Sequence, residues 1–387
     1  MLRQPGKSPK PRPAAIIPER KLWQNETRNT PSLGCHGCPE RVECGSLAVE
    51  AGLLSCLDLC CGNPAKCEKP CRNNPNYALR VREVGTFSLD NVPRAPLLST
   101  PPLPYVVPIL FHGDSRANLL GPEPVALPLY EMFTRRDGNL RYASHGELCN
   151  AFGLVSGTPI VLTGTDQDPP LERWWGYQSK RREIIRGLRQ LGIVLTTTPN
   201  FSLFVDVPRH VDLHAIKRIG LVHHEFLAEG LPCALHVNGR AETDFRRWAA
   251  YIRVRPEVTH IAYEFTTGTS RAERRPIHVA WLIDLAGAVG RPLTLIVRGG
   301  IEALPELSAA FGAVTVLETW SFMKTMKRQR GSTRDGHRLQ WNRSPTPPGA
   351  PLDALFAANS TVVRHWIEGR IVKSFEAVRK KAAGAGR

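Results

Sequence analysis

The sequence predicts an α/β protein built on a (β/α)8-like TIM barrel, preceded by a small cysteine-rich metal module. Three observations lead there. Short β-branched runs recur from Val106 onward and are apolar throughout rather than alternating, as in strands buried on both faces of a parallel sheet. Helix-period segments separate most of these runs, the signature of β/α units. The units fill residues 106–343, close to the roughly 250 residues usual for an eight-stranded barrel.

Taken in order, the strands read VVPILFHGDS (106–115), PIVLTGTDQD (159–168), GIVLTTTPN (192–200), CALHVNG (233–239), THIAYEFTTG (259–268), LTLIVRGG (293–300) and AVTVLETWS (313–321). NLRYAS (139–144) is either the eighth strand or an insertion. A helix from Arg173 to Leu191 ends at Gly192, and one from His210 to Ala228 ends near Gly230, both glycines being stop signals. Ala241 to Val254 stops before Pro256, Pro276 to Val289 stops at Gly290, and Leu304 to Phe311 is short. An open doubly wound sheet is the alternative. Its dinucleotide-binding version is not indicated, because no G-x-G-x-x-G turn follows the first strand.

Composition divides the rest of the chain. Residues 1–30 are proline-rich, basic and without periodicity, so disorder is expected there. Residues 31–75 hold the cysteine module, and 76–105 read as a proline-rich connector lying along the barrel. After the turn SPTPPGAP, a helix from about Leu352 to Lys381 and a basic tail complete 344–387. No apolar run reaches the about 18 residues of a membrane span, and no secretory signal is apparent, so a soluble cytoplasmic protein is expected.

Eight of the ten cysteines are crowded into one segment: Cys35, Cys38, Cys44, Cys56, Cys60, Cys61, Cys67 and Cys71. So short a stretch cannot bury enough apolar surface to fold without staples. Without a secretory signal, thiolate–metal bonds are favoured over a disulfide knot. The single C-x2-C knuckle fits zinc, and the looser spacings fit an iron–sulfur cluster equally well. Four protein ligands close a metal's coordination shell, so scaffolding is the expected role.

Lys and Arg number 51 against 35 Asp and Glu, a net charge of +16 that favours a polyanionic partner, DNA or RNA. An arginine-rich composition unrelated to function is the plain alternative. Lys324, Lys327, Arg328, Arg330 and Arg334 are concentrated in a stretch flanked or interrupted by Trp320, Phe322 and Trp341. Cations that neutralise phosphates, beside rings that stack on bases, suit nucleic acid; a solvated loop is the competing reading.

In parallel β/α folds the functional side chains gather at the C-terminal ends of the strands. Here those ends carry His112, Asp114, Asp166, Asn200, His236, Asn238, Glu264, Arg298, Glu318 and Trp320. Asp114, Asp166 and Glu264 are the candidates for nucleophile or general base, and the others for substrate contacts. Singly, each has a structural reading: an Asp caps a helix, and a Glu–Arg pair braces neighbouring strands. Gly299 and Gly300 after the seventh run either cradle a phosphate or serve a turn that needs their backbone freedom.

PIVLTGTDQDPPLERWW, TPNFSLFVDVPR, KRIGLV and IAYEFTTG resemble a group of uncharacterised bacterial and phage proteins sharing a domain of unknown function, over residues 155–330. Some of these carry a cysteine-rich N-terminal segment, and the resemblance implies no established activity. More distantly, the barrel, basic charge and thiolate site are similar to tRNA-guanine transglycosylases, which use aspartate catalysis and a structural zinc. That family's zinc ligands come late in the chain, whereas these cysteines precede the barrel, so no catalytic residue is carried over. The expectation is a metal-containing barrel enzyme, a transferase modifying a base or nucleotide of nucleic acid, with transglycosylase-like base exchange as one form. The alternatives are a non-catalytic DNA/RNA-binding accessory protein and an iron–sulfur redox enzyme.

Overall fold

The computed structural model describes residues 75–204, 209–267, 272–334 and 338–384. The eight clustered cysteines and the basic N-terminus lie outside the described residues.

Eight parallel strands form the sheet: β1 (Val106–Pro108), β2 (Val125–Pro128), β3 (Ile160–Thr163), β4 (Ile193–Thr197), β5 (Cys233–His236), β6 (His260–Glu264), β7 (Thr294–Arg298) and β8 (Ala313–Glu318). Their hydrogen-bonded order is β1-β8-β7-β6-β5-β4-β3-β2. The ring closes just beyond β1, where Ile109 bridges Ala126 of β2 and the Leu110 amide donates to the Ala126 carbonyl at 2.9 Å. That contact excludes the open sheet. The fold is a (β/α)8-like barrel.

The period of two explains how uniformly apolar strands fill two layers. Val107, Ile109, Ala126, Val161, Leu195, Ala234, Ala262, Ile296 and Leu317 meet inside the barrel. Their chain neighbours, such as Ile160 and Leu162 on either side of Val161, face outward into the layer between sheet and helices.

Two expectations are corrected here. The eighth strand is β2, not NLRYAS, where Leu140 makes a single antiparallel bridge to Phe133. The strand is easily missed because its four residues are preceded by Pro124 and closed by Pro128, although all four are buried. The helix expected over 173–191 is two helices. The helices are α1 (Pro75–Val84), α2 (His145–Ala151), α3 (Asp168–Gly176), α4 (Lys180–Gln190), α5 (Arg209–Ala228), α6 (Glu242–Arg253), α7 (Arg275–Val289), α8 (Leu304–Ala310), α9 (Trp320–Met326) and α10 (Asp353–Gly384). Between α3 and α4, Gln178 takes a φ of 47°, and the Tyr177 hydroxyl donates to the Thr134 and Arg135 carbonyls, both at 3.2 Å.

The segment expected as a connector opens with α1 and continues as a strap bound to the barrel wall. Phe87 is fully buried, and Arg94 forms a two-point pair with Glu257 at 2.7 and 2.9 Å. Lys217 of α5, also fully buried, donates to the Ser88 carbonyl and the Asn91 side chain. A buried ammonium with such acceptors avoids the desolvation cost of an unpaired charge.

Beyond β8 the chain leaves the barrel. After α9 comes an antiparallel ribbon, β9 (Gln329–Arg334) and β10 (Arg338–Arg343), where sequence reading expected only a basic stretch. Helix α10 fastens it through Asn359, which is fully buried. The Asn359 amide oxygen accepts from the Gly331 amide at 2.8 Å, and its nitrogen donates to Thr325 Oγ1 and the Gln329 carbonyl, both at 2.9 Å. Asp353 opens α10 by accepting from the Ala117 and Asn118 amides at 2.9 and 3.0 Å, tying the β1–β2 loop to the same helix. Among the described residues no helix is long and apolar enough to cross a membrane.

Replacing Asn359 by Ala orphans the Gly331 N–H and the Gln329 carbonyl. We expect a loss of about 3 kcal/mol in chemical denaturation and faster amide exchange across β9.

Candidate active site at the barrel mouth

A cavity of about 280 Å3 opens at the C-terminal ends of β3 to β6. Of the residues expected at strand ends, Asp166, Asn200, His236, Asn238 and Glu264 line it. Gly164 lets the first of these loops enter. A side chain there would lie 2.5 Å from the carbonyl oxygens of Thr197 and Thr198, so the end of β3 comes as close to β4 as backbone allows. That approach brings Thr165 to His236, with 3.5 Å between Oγ1 and Nε2.

His236 is held in one tautomer. Its Nδ1 lies 2.7 Å from the Thr198 carbonyl, which only accepts, so Nδ1 carries the proton and Nε2 offers a lone pair. The backbone amide of His236 donates to Thr198 Oγ1 at 2.9 Å, locking the strand end to the same residue. Burial, with the Arg298 charge adding to it, lowers the imidazole to about 4. His236 is therefore neutral at physiological pH.

Glu264 is the complementary group, its side chain 2 % exposed. One carboxyl oxygen accepts from the Thr266 amide at 2.8 Å and from the Thr266 hydroxyl; the other lies 3.7 Å from Arg298 Nη1. Thr165 also hydrogen-bonds this carboxyl. Burial raises its pKa, and Arg298 and the threonine hydrogen bonds only partly offset that. A carboxyl held above its usual range beside a neutral imidazole with an Nε2 lone pair gives the cavity one proton donor and one acceptor.

The rest of the wall orients. The Asn238 amide nitrogen donates to the Phe201 carbonyl at 2.8 Å, and Trp248 Nε1 donates to the Asn238 carbonyl at 2.8 Å. Arg240 is braced by Asp212 at 3.1 Å and the Phe204 carbonyl at 3.0 Å. Asn200 Oδ1 is buried with no hydrogen-bond partner among the described residues, an acceptor left over for a ligand.

The other expected residues lie at the cavity's edge or away from it. Asp166 sits at the rim, exposed, accepting from the Gln167 amide at 2.7 Å. Asp114 is 86 % exposed and pairs at 3.6 Å with His112, whose ring packs edge-on against Phe322; neither lines the cavity. Glu318 is buried beneath α9 and accepts from the Ser321 amide at 2.9 Å, the work of a cap. Trp320 packs on Trp366, with ring centroids 5.7 Å apart. Gly299 and Gly300 take φ of 76° and 67°, and a side chain on Gly300 would meet the Phe265 ring at 2.6 Å. Positive φ at both positions, and that close approach at Gly300, favour glycine there. Lys327, Arg328, Arg330 and Arg334 are exposed, and Lys324 lies over the Trp341 ring. Among the described residues no group of three or more metal-ligating side chains is assembled, and Cys149 and Cys233 are buried thiols.

Sequence reasoning missed Thr165, Arg274 and the buried pair Tyr263–His278, whose hydroxyl and Nδ1 are 2.6 Å apart. Thr165 carried a signal, since it stands at the end of the β3 run, but the aspartates after it drew the attention. Arg274 and His278, at and just beyond the start of α7, carried none.

No protein-family model and no curated protein sequence matches this chain.

Side-chain carbon NMR should show Glu264 titrating above the ordinary carboxylate range, and Arg298→Gln should move its midpoint further up. Because the fold holds that proton more tightly than the unfolded chain does, ionising Glu264 costs stability as pH rises past the ordinary carboxylate range. His236 has the opposite sign. Its folded value is about 4 against 6.5, so its contribution is lost as pH falls from about 6.5 toward 4.

Proposed function

We propose that this protein is a barrel enzyme that performs acid–base chemistry on a base or nucleotide of nucleic acid, of the transferase kind. One observation carries the chemistry: a buried carboxyl with a raised pKa and a neutral, tautomer-locked imidazole border one cavity. In its protonated form Glu264 donates to the departing or accepting atom of the substrate, and Arg298 stabilises the carboxylate left behind. His236 Nε2 takes the proton from the incoming nucleophile. Asn200 Oδ1 accepts from an N–H edge of the substrate, a contact that discriminates between bases.

The cavity is of nucleoside size, at the lower end of the range for small-molecule pockets. A base within a duplex would have to be turned out of the stack to enter it. The net charge of +16 supports a nucleic-acid partner. The cysteine cluster is proposed to hold zinc or an iron–sulfur cluster as a scaffold. Asp114 and Asp166, solvated as they are, are less suited to proton transfer than Glu264.

The test is incubation with pooled DNA and transfer RNA, followed by nucleoside mass spectrometry. The wild-type chain should change the mass or release of one nucleoside. Glu264→Gln and His236→Gln should each slow that change by about 100- to 10,000-fold while nucleic-acid binding persists. Binding without any changed nucleoside would overturn the enzymatic reading in favour of an accessory binding protein.

A further inference from the structure

The β9–β10 ribbon has two unlike faces. Strand register places Arg343, Trp341 and Leu339 opposite Gln329, Gly331 and Thr333, and Asn342, Gln340 and Arg338 opposite Arg330, Ser332 and Arg334. The first set contains the side that packs inward. Leu339 and Trp341 lie against the core, Gly331 is buried, and Asn359 of α10 is bonded to the Gly331 amide. The alternation of a pleated strand then turns the second set outward. Of that set all but the half-buried Gln340 are exposed.

The outward set is unusual in kind. It holds three arginines, one asparagine, one glutamine and one serine, with no carboxylate and no apolar residue. Arg330 and Arg338 make no ion pair with a described residue. Arg334 stands directly opposite Arg338. A ribbon serving only to cover the core has no need of three arginines on its outer face, whereas a polyanion bound there would be neutralised by them. These are also the residue types that read base edges, arginine at guanine and asparagine or glutamine at adenine.

We propose that the outer face of this ribbon binds duplex DNA by lying in the major groove. Two strands about 5 Å apart fit a groove about 12 Å wide, and the six-residue strands span about 20 Å along it. The major groove of an RNA duplex is too deep and narrow for side chains to read, so B-form DNA is the duplex that fits. The ribbon is fastened to α10 by Asn359, so it meets the groove as a preformed element. The proposal rests on the nucleic-acid reading above and is independent of the acid–base chemistry.

The test is fluorescence anisotropy on the full chain. The probes are a labelled mixed-sequence DNA duplex, its separated strands and an RNA duplex of the same sequence. Arg330, Arg334 and Arg338 are changed together to Gln, and Ser332→Glu provides a second, single change on the same face. A control replaces three exposed arginines elsewhere, Arg136, Arg182 and Arg253, all by Gln. We expect both ribbon variants to bind duplex DNA about tenfold or more weakly. The salt slope of the triple variant should fall by about 0.9 for each phosphate that its arginines no longer neutralise. The control should bind as the wild type does. Ribbon variants that bind like the wild type would overturn the ribbon and leave the nucleic-acid reading standing. A wild-type preference for single strands or duplex RNA would overturn the groove assignment. A wild-type chain that binds none of the probes at low salt would overturn the ribbon and the nucleic-acid reading together.

Discussion

Everything at the mouth depends on the meeting of β1 with β2. Seven of the eight strand junctions are hydrogen-bonded ladders, while the eighth is made by Ile109, Leu110 and Ala126 alone. Were it open, the sheet would splay, and the ends of β3 to β6 would no longer curve around one cavity. The short junction is reinforced from outside. Asp353 holds the loop after β1, Arg364 pairs with Glu123 just before β2, and Arg116 reaches the Phe152 carbonyl. The C-terminal helix thus supports both the closing seam and the ribbon.

Much of the charge in this chain serves structure. Arg291 donates to the carbonyls of Ile252, Arg255 and Val258, gathering the end of α6 and the approach to β6. Arg181 pairs with Glu225 at 2.7 Å and lies over the Trp175 ring, and Arg218 pairs with Glu172 while covering Phe201. Guanidinium groups suit this because they are planar, permanently charged and weakly hydrated. Net charge alone is therefore a blunt indicator of a polyanionic partner here, and where the arginines sit is more informative than how many there are.

The barrel was legible because its strands are short, continuous and apolar, and because Gly192, Gly230 and Gly290 mark where helices stop. Seven strands and most helices could be placed that way. β2 was not, since four residues between prolines carry too little pattern. The ribbon was missed for a different reason. Arg330, Arg334 and Arg338 obscure a two-residue alternation, although Asp335-Gly336 between the strands is a known hairpin signal. At the site, strand-end position found His236, Glu264, Asn200 and Asn238. It could not separate them from Glu318 or Asp114, because burial and partners belong to the folded chain. Gly299 and Gly300 allowed a phosphate cradle or a turn, and the fold supplies the turn's reason for glycine in their positive φ and in the Phe265 ring beside Gly300.

The strap has a consequence for what counts as the domain. Phe87, Arg94 and the residues Ser88 and Asn91 that accept from Lys217 all precede the first strand, yet they complete the wall around α5. A chain severed at residue 105 would keep every strand of the barrel and still strip the buried Lys217 ammonium of the Ser88 and Asn91 acceptors. The autonomous folding unit is therefore larger than the barrel it contains. Its wall reaches back at least to α1, so a boundary drawn at the first strand would cut through it.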